Sequence, residues 1–233
     1  MPAGETISPV SHYDPNLVRG LYAKTKAAAS ELVMDKVRNE GLDAVIIQPS
    51  GLIGPWCYSR ENLIQFFVEV ANEKLPATVN AGCDFVDVRD VAAATIRACI
   101  QGRCGQNYIL SNRTWSMKQL GLMIAAANHF QPTRLTVPLW LASAATPFTA
   151  LYYRLVDKEP LYTKIALETI ESNSDFDNSK AVRDLDFHPR LMQETVTDTV
   201  AFLQSIFRID QNRILARPAL RTRKVSPAGK ARS

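Results

Sequence analysis

The feature that most constrains the fold is a helix followed closely by a buried strand. Residues 21–39 have the pattern of a helix, and Gly41 stands where a left-handed residue commonly ends one. The next segment, "DAVIIQP", is an almost continuous apolar run that ends at Pro49. Such runs are typical of parallel strands covered on both faces. The pattern therefore predicts an α/β fold with a parallel sheet.

The loop after this strand is "PSGLIGP", which begins at Pro49. In open α/β sheets, ligands bind outside the carboxyl ends of the strands. We therefore expect this loop to lie at a ligand site.

Strands and helices continue to alternate downstream. "ENLIQFFVEVANEKLP" is an amphipathic helix, and "DFVDVRDVAAATIRACI" is a strand followed by a helix that we expect Asp90 to cap. "QNYILSN" and "RLTVP" are predicted strands, separated by the helix "SMKQLGLMIAAANHF", which Ser116 opens. Two further helices are predicted within residues 178–207.

Composition is that of a soluble globular domain with a smaller appendage. The chain has 233 residues, of which 46% are apolar and 21% charged. Its four cysteines have no CxxC spacing, and no signal-peptide pattern opens the sequence. We therefore expect free thiols and a cytoplasmic location. The three histidines have no metal-ligand spacing, so no metal is expected.

Positive charge is concentrated at the end of the chain. Residues 208–233 hold eight basic side chains and one acidic one, which is a net charge of +7. Since the whole chain has a net charge of +4, residues 1–207 have a net charge of −3. This composition indicates a solvated, disordered tail, and we expect no nucleic-acid partner.

Residues 135–153 carry no charge, but Pro138 and Pro147 interrupt the run. We expect a buried or lid-forming helix there, not a membrane span.

Tyr22 and Lys26 form the candidate catalytic pair. Residues four apart lie on one face of a helix, about one turn from each other. An ammonium group near a phenol favours the ionised phenol, so such a pair can donate and accept a proton during hydride transfer. Tyr22 is the only tyrosine in the chain that has a lysine four positions later.

Four motifs together resemble the extended short-chain dehydrogenase/reductases, also described as the NAD-dependent epimerase/dehydratase group. They are "YAKTKAAASELV", "AVIIQPSGLIGP", "DFVDVRDVAAA" and "SDFDNSKAVRDLDFHP…ETVTDTVAFL", and the resemblance extends over residues 13–204. The chain is most similar to the dihydroflavonol reductase-like and 3β-hydroxysteroid dehydrogenase-like branch. The resemblance implies the C-terminal part of a Rossmann-type doubly wound parallel sheet (residues 1–110), a smaller, mainly helical substrate-binding region (residues 111–207) and a tail (residues 208–233).

The resemblance also implies a site and an activity. Tyr22 would be the general acid/base, and Lys26 would assist it and hydrogen-bond the nicotinamide ribose of NAD or NADP. The nicotinamide end of the cofactor would lie against Pro49, Ser50, Gly51 and Leu52. Residues 56–74 and 139–153 would wall a pocket for a small hydrophobic carbonyl or alcohol substrate. A homodimer is common among such proteins. Asp87 and Asp90 are interpreted as structural caps and turn makers, not as catalytic residues.

The sequence departs from this family in one respect. No GxxGxxG turn, which would hold the cofactor pyrophosphate, occurs in residues 1–233, and the family's catalytic Ser or Thr would precede Met1. We expect the C-terminal portion of a longer reductase. The alternatives are a partner chain that supplies the first half of the sheet and a truncated paralogue that does not catalyse.

Two other functions remain open. Nucleotide-sugar epimerases and dehydratases share the Tyr/Lys pair, but "QPSGLIGP" lacks the asparagine they usually carry, and "VPLWLASAATPF" favours a hydrophobic pocket. A catalytically dead binding or scaffold paralogue is the non-enzymatic alternative, because a fold does not determine a function.

Overall fold

The computed structural model describes residues 6–18, 20–75, 77–79, 81–130, 135–138, 140–141 and 175–209. A short 3-10 helix, Pro15–Leu17, precedes the first α-helix. The main elements, in chain order, are α1 (Leu21–Glu40), β1 (Ile46–Pro49), β2 (Gly51–Ile53), α2 (Asn62–Ala71), β3 (Thr78–Val79), β4 (Gly82–Asp87), α3 (Val88–Gln101), β5 (Asn107–Leu110), β6 (Arg113–Ser116), α4 (Met117–Ala127), β7 (Thr136–Val137), α5 (Ser179–Leu185) and α6 (Met192–Ser205).

The strands form three hydrogen-bonded groups. β1 pairs in parallel with β5, with Ile46 opposite Asn107. β2 pairs in parallel with β4, and β4 pairs antiparallel with β6. β3 pairs in parallel with β7. Parallel strands flanked by helices confirm the predicted α/β, Rossmann-type class. The antiparallel strand β6 was not predicted, because "RTWS" is short and largely polar.

Helix termini follow local chemistry. Gly41 ends α1 in the left-handed conformation, with φ of 68°, as predicted. Ser116 opens α4 with a capping box, in which its hydroxyl accepts from the Gln119 N–H and the Gln119 side chain accepts from the Ser116 N–H. The prediction that Asp90 caps α3 was wrong. The N-cap is Asp87, whose carboxylate accepts from the Arg89 N–H, because the helix begins three residues earlier than the apolar periodicity indicated.

Two hydrophobic clusters stabilise the described part of the chain. The larger one lies between α2, α4 and α6, and its fully buried members include Phe67, Leu120 and Leu203. The smaller one packs β4 and β5 against α3 and α5, around Tyr108 and Phe187. The larger cluster joins residues from both sides of position 110, so the division into two regions stays a prediction.

Helix α1 contributes little to either cluster. Among its twenty residues only Met34 is buried, and Leu21, Tyr22 and Leu32 are exposed. Its second half is tied to the preceding segment by Glu31, whose carboxylate accepts from the Tyr13 N–H at 2.7 Å and from Arg38 at 2.5 Å.

Two predicted segments lie wholly or largely outside the described residues. Of the uncharged run 135–153, the structure describes 135–138 and 140–141, and of the basic tail it describes 208 and 209. The pocket wall and the disordered tail therefore stay predictions. Within the ranges given above, no helix is both long and apolar enough to cross a membrane.

Candidate active site

Tyr22 and Lys26 lie together on the exposed face of α1. Lys26 Nζ is 5.7 Å from the centroid of the Tyr22 ring, and the Tyr22 side chain is 76% exposed. Thr25 donates through its hydroxyl to the Tyr22 carbonyl at 2.8 Å, which is a contact to the backbone only. No residue in the described ranges hydrogen-bonds the Tyr22 hydroxyl or the Lys26 ammonium group. Both groups are therefore free to meet a ligand.

The segment Pro49 to Leu52, which keeps the name strand-end loop, follows the body of β1. The prediction of a loop was wrong for Gly51–Ile53, because these residues pair in parallel with β4 and form β2. Pro49 is the last residue of β1, Ser50 stands alone between the strands, and Gly51 is the first residue of β2. The Ser50 N–H donates to the Leu110 carbonyl at 3.0 Å, which extends the β1–β5 pairing by one residue. Leu52 is 45% exposed. The loop thus presents Pro49 and Leu52 to solvent while Ser50 and Gly51 are partly buried.

Gly51 is required by a close approach of two strands. A Cβ at this position would lie 2.8 Å from Phe85 Cδ1 and 3.0 Å from the Asp84 carbonyl oxygen. Since real Cβ atoms do not approach other atoms so closely, any larger residue would force β2 away from β4.

Asp84 is a buried carboxylate beneath this loop. It is 3% exposed, and its Oδ1 accepts hydrogen bonds from the Ser50 hydroxyl and, at 3.0 Å, from the Asn112 N–H. Burial raises the pKa of Asp84, and the hydrogen bonds from Ser50 and Asn112 offset only part of this effect. The nearby Asp175 charge acts in the same direction as burial.

Sequence reasoning missed Asp84. The signal was present, because a charged residue stands among apolar ones in "CDFVDV". Its partners could not be read from the sequence, since Ser50 and Asn112 are 34 and 28 residues away and meet it only through strand pairing.

Asp87 and Asp90 belong to a network of ion pairs that links α3 with α6. Burial alone would raise the pKa of Asp87, but hydrogen bonds from Arg89 outweigh it and lower that pKa. Arg89 also donates to Asp198 at 2.6 Å, and Arg190 donates to Asp90 at 2.8 Å. The contacts of both aspartates are with arginines of the fold, which agrees with their interpretation as structural residues.

The predicted site residues form two groups. Tyr22 and Lys26 share one helix face, and Pro49, Ser50, Gly51 and Leu52 are consecutive residues that run from the end of β1 into β2. Within the described part of the chain, no hydrogen bond joins the pair to the loop. Helix α1 and strand β1 are consecutive elements, so the two groups are connected through the turn at Gly41.

The donors and acceptors of these groups fit the nicotinamide end of a dinucleotide. Lys26 offers N–H donors and Tyr22 a hydroxyl, both without partners among the described residues, and such groups suit ribose hydroxyls. The Ser50 hydroxyl donates to Asp84, so its oxygen retains acceptor capacity. Residues 1–233 offer no GxxGxxG turn for the pyrophosphate.

Residues 2–111 match the model of the NAD dependent epimerase/dehydratase family. These residues are just under half of the chain, and they are similar to the family that the sequence resemblance predicted. A relative from Synechocystis sp. named "Putative dihydroflavonol 4-reductase" is 26% identical over 190 residues, which are 80% of this chain and 55% of that protein. The chain thus spans about half the length of the curated relatives it matches.

Solved structures agree with this similarity. The crystal structure of gox2253 matches with a TM-score of 0.71 and 25% identity, covering 89% of this chain and 63% of that one. UDP-glucuronic acid 4-epimerase from Bacillus cereus, in complex with NAD, matches with a TM-score of 0.63 and 13% identity, covering 89% of this chain and 58% of that one. At that identity the second match shows the shared fold alone.

Other reactive side chains in the described part of the chain do not form a second centre. Cys57, Cys83, Cys99 and Cys104 are all free thiols. Burial raises the pKa of the Cys83 thiol to about 12, with a smaller contribution from the Asp84 charge, which makes it a poor nucleophile. Across the described residues, no cluster of three or more His, Cys, Asp or Glu side chains could hold a metal ion.

Proposed function

We propose that this chain carries the acid/base centre of an NAD(P)-dependent oxidoreductase that interconverts a carbonyl and an alcohol on a small hydrophobic substrate. The observation that supports the proposal most strongly is the exposed Tyr22/Lys26 pair, with Lys26 Nζ 5.7 Å from the tyrosine ring centroid. Two exposed polar side chains on one helix face, neither hydrogen-bonded to any residue that the structure describes, favour contact with a ligand over a structural role.

Similarity to this family supports the cofactor. The family is described as NAD dependent, and the matching epimerase from Bacillus cereus was solved with NAD. In the proposed site, Lys26 holds ribose hydroxyls, and the strand-end loop from Pro49 to Leu52 lies against the nicotinamide. The cofactor supplies or accepts hydride when bound. A pyrophosphate-binding turn would have to come from outside residues 1–233, either on a longer chain or on a partner.

Tyr22 performs the proton transfer in this proposal. During reduction, its hydroxyl donates a proton to the oxygen of the carbonyl as hydride reaches the carbon. During oxidation, the phenolate accepts the hydroxyl proton as hydride leaves. The positive charge of Lys26 stabilises the phenolate between these steps.

The substrate class is supported by exposed apolar side chains that follow the strand-end loop. Leu52, Trp56 and Tyr58 are 45%, 63% and 71% exposed. Trp56 also has a backbone φ of 70°, which is uncommon for a bulky residue and is typical of functional sites. Apolar and aromatic groups at the ligand edge favour a hydrophobic substrate over a sugar nucleotide.

The first test is a titration of the full chain with NADH and NADPH, followed by nicotinamide fluorescence. Saturable binding that weakens in Lys26→Met but not in Lys24→Met would support the proposal. Lys24 is the matched control, because it is exposed on the same helix two positions away, where it faces another direction. Binding that both variants preserve would contradict the assigned role of Lys26.

A second measurement separates the alternative activities. A screen of hydrophobic ketones and alcohols against UDP- and dTDP-sugars, read by nicotinamide absorbance and product analysis, distinguishes a reductase from an epimerase or dehydratase. A folded chain that binds neither nucleotide, alone or with the rest of the nucleotide-binding sheet, would favour the binding or scaffold paralogue.

A further inference from the structure

The chain passes from the β1–β5 pair to the β2–β4–β6 group at two places. At the first, Ser50 is the single residue between β1 and β2. At the second, Ser111 and Asn112 connect β5 with β6. Both crossings leave the carboxyl ends of the parallel strands β1 and β5, so they lie on the same edge of the sheet.

One carboxylate oxygen contacts both crossings. Asp84 Oδ1 accepts from the Ser50 hydroxyl at the first and from the Asn112 N–H at the second. Asp84 itself lies inside β4, where its pairing with Thr114 on β6 fixes its position. The side chain of Asn112 donates in turn to the Arg190 carbonyl at 3.2 Å, which anchors the second crossing to the segment before α6.

We infer that Asp84 is the positioning residue of the strand-end loop, a clasp that holds Ser50 and Asn112 in fixed relation across the two sheets. The hydroxyl of Ser111 at the second crossing is fully buried and finds no partner among the described residues, so it does not take the place of Asp84. The role of the loop in holding a cofactor rests on the proposed function, whereas the clasp itself does not.

The free-energy cost of burying Asp84 indicates that this residue does more than stabilise the fold. An ionised carboxylate that is 3% exposed carries a large desolvation cost, and burial accordingly raises the pKa of Asp84. An apolar residue in β4 would avoid that cost. Groups of this kind, buried and paired with specific partners near a ligand edge, are enriched at functional sites.

The clasp makes a prediction about coupling between distant segments. Loss of the Asp84 carboxylate should loosen both crossings together, although they are about sixty residues apart in the sequence. Loss of the Ser50 hydroxyl should loosen the first crossing only. We expect amide hydrogen exchange to become about 10- to 100-fold faster at each affected crossing, since a hydrogen bond to a charged group stabilises by roughly 1.5–3 kcal/mol.

The experiment is hydrogen exchange by mass spectrometry on the full chain and on Asp84→Ala, Asp84→Asn, Ser50→Ala and Asp198→Asn. Asp84→Asn retains an acceptor oxygen and should restore most of the protection. Asp198→Asn is the matched control, because it removes a carboxylate that pairs with Arg89 and contacts neither crossing. NADH affinity is measured on the same proteins.

The outcomes separate the clasp from the proposed function. Faster exchange at both crossings in Asp84→Ala, at one in Ser50→Ala and at neither in Asp198→Asn supports the clasp, together with NADH binding weakened about tenfold in Asp84→Ala. If Asp84→Ala speeds exchange at both crossings but the wild-type chain binds no nucleotide, the clasp is supported and the proposed cofactor binding is contradicted. Two results would overturn the positioning role. The first is that Asp84→Ala speeds amide exchange at only one crossing. The second is that the wild-type chain binds NADH and Asp84→Ala binds it with the same affinity. If Asp84→Ala does not fold, Ser50→Ala decides, because unchanged exchange at the first crossing in that variant would overturn the clasp and faster exchange there alone would support it.

Discussion

Arg190 binds the Asp90 carboxylate with both its main chain and its side chain. The Arg190 N–H donates to Oδ2 at 2.8 Å, while Nε and Nη2 donate to Oδ1 at 2.9 and 2.8 Å. Asp90 lies in the first turn of α3, and Arg190 lies just before α6, one hundred residues later. Three hydrogen bonds to one carboxylate therefore join two elements that are distant in the sequence.

Replacing Asp90 should destabilise the fold. We expect Asp90→Ala to lower the free energy of unfolding by about 2–3 kcal/mol, because charge-assisted hydrogen bonds are lost and the Arg190 guanidinium is left largely buried. Glu194→Ala is the control, since Glu194 also pairs with Arg190 but is more than half exposed and should cost at most about 0.5 kcal/mol. Equal urea midpoints for the two variants would contradict this ranking.

Replacing the Tyr22 hydroxyl should affect chemistry without affecting stability. On a substrate that the wild-type protein turns over, Tyr22→Phe should lower kcat by about 10²–10⁴-fold, the usual contribution of general acid/base catalysis. Because the Tyr22 side chain is 76% exposed, the free energy of unfolding should change by less than about 0.5 kcal/mol. Lys24→Met, which changes another exposed side chain of the same helix, should retain its activity. A Tyr22→Phe variant with normal kcat would remove Tyr22 from the mechanism.

The attachment of α1 to the preceding segment should depend on pH. The Tyr13 N–H and, to a lesser extent, Arg38 lower the pKa of Glu31 from 4.5 to about 2. Since the folded pKa lies below the ordinary value, the stabilising contribution is complete above pH 4.5 and is lost as the pH falls towards 2. Glu31→Gln should therefore flatten the dependence of the urea midpoint on pH between about pH 5 and about pH 2. A Glu40→Gln control should retain the wild-type slope.

Two glycines should respond to alanine in opposite directions. Gly51→Ala should destabilise by about 1–3 kcal/mol, because the new methyl group would collide with Phe85 and the Asp84 backbone. Gly121 lies inside α4, where a Cβ would meet Thr78 and Phe66 at ordinary contact distances of 3.8 and 4.0 Å. Gly121→Ala should stabilise by about 0.5–1 kcal/mol through helix propensity. Thermal unfolding of both variants checks the signs.

Local signals in the sequence were sufficient for most elements. Gly41 and Ser116 mark helix ends correctly, because capping chemistry is decided within a few residues. The strand ending at Pro49 was predicted from its apolar run. Asp90 was misassigned as a cap because "VDVRD" contains two aspartates that could begin the helix. The cap is Asp87, because β4 ends at this residue and the helix begins directly after it.

Contacts between distant residues could not be predicted. The pairing of β4 with β6 places Asp84 beside Asn112, and neither short segment carries a pattern that specifies the partner. The Tyr22/Lys26 pair was accessible because it depends only on helical spacing. The functional roles of the pair and of Pro49 to Leu52 stay predictions, which the variants described above test.

The exposure of α1 has a consequence for how the centre is aligned. Met34 is its only buried residue, and Tyr22 lies twelve residues away, a distance of about 18 Å along a helix. Over that lever arm, a tilt of about 10° around Met34 displaces the tyrosine by roughly 3 Å, whereas productive geometry tolerates about 0.5 Å. The anchor at Met34 therefore cannot by itself hold Tyr22 within that tolerance. If Tyr22 and Lys26 act as proposed, their alignment requires a further contact that covers the first turns of α1.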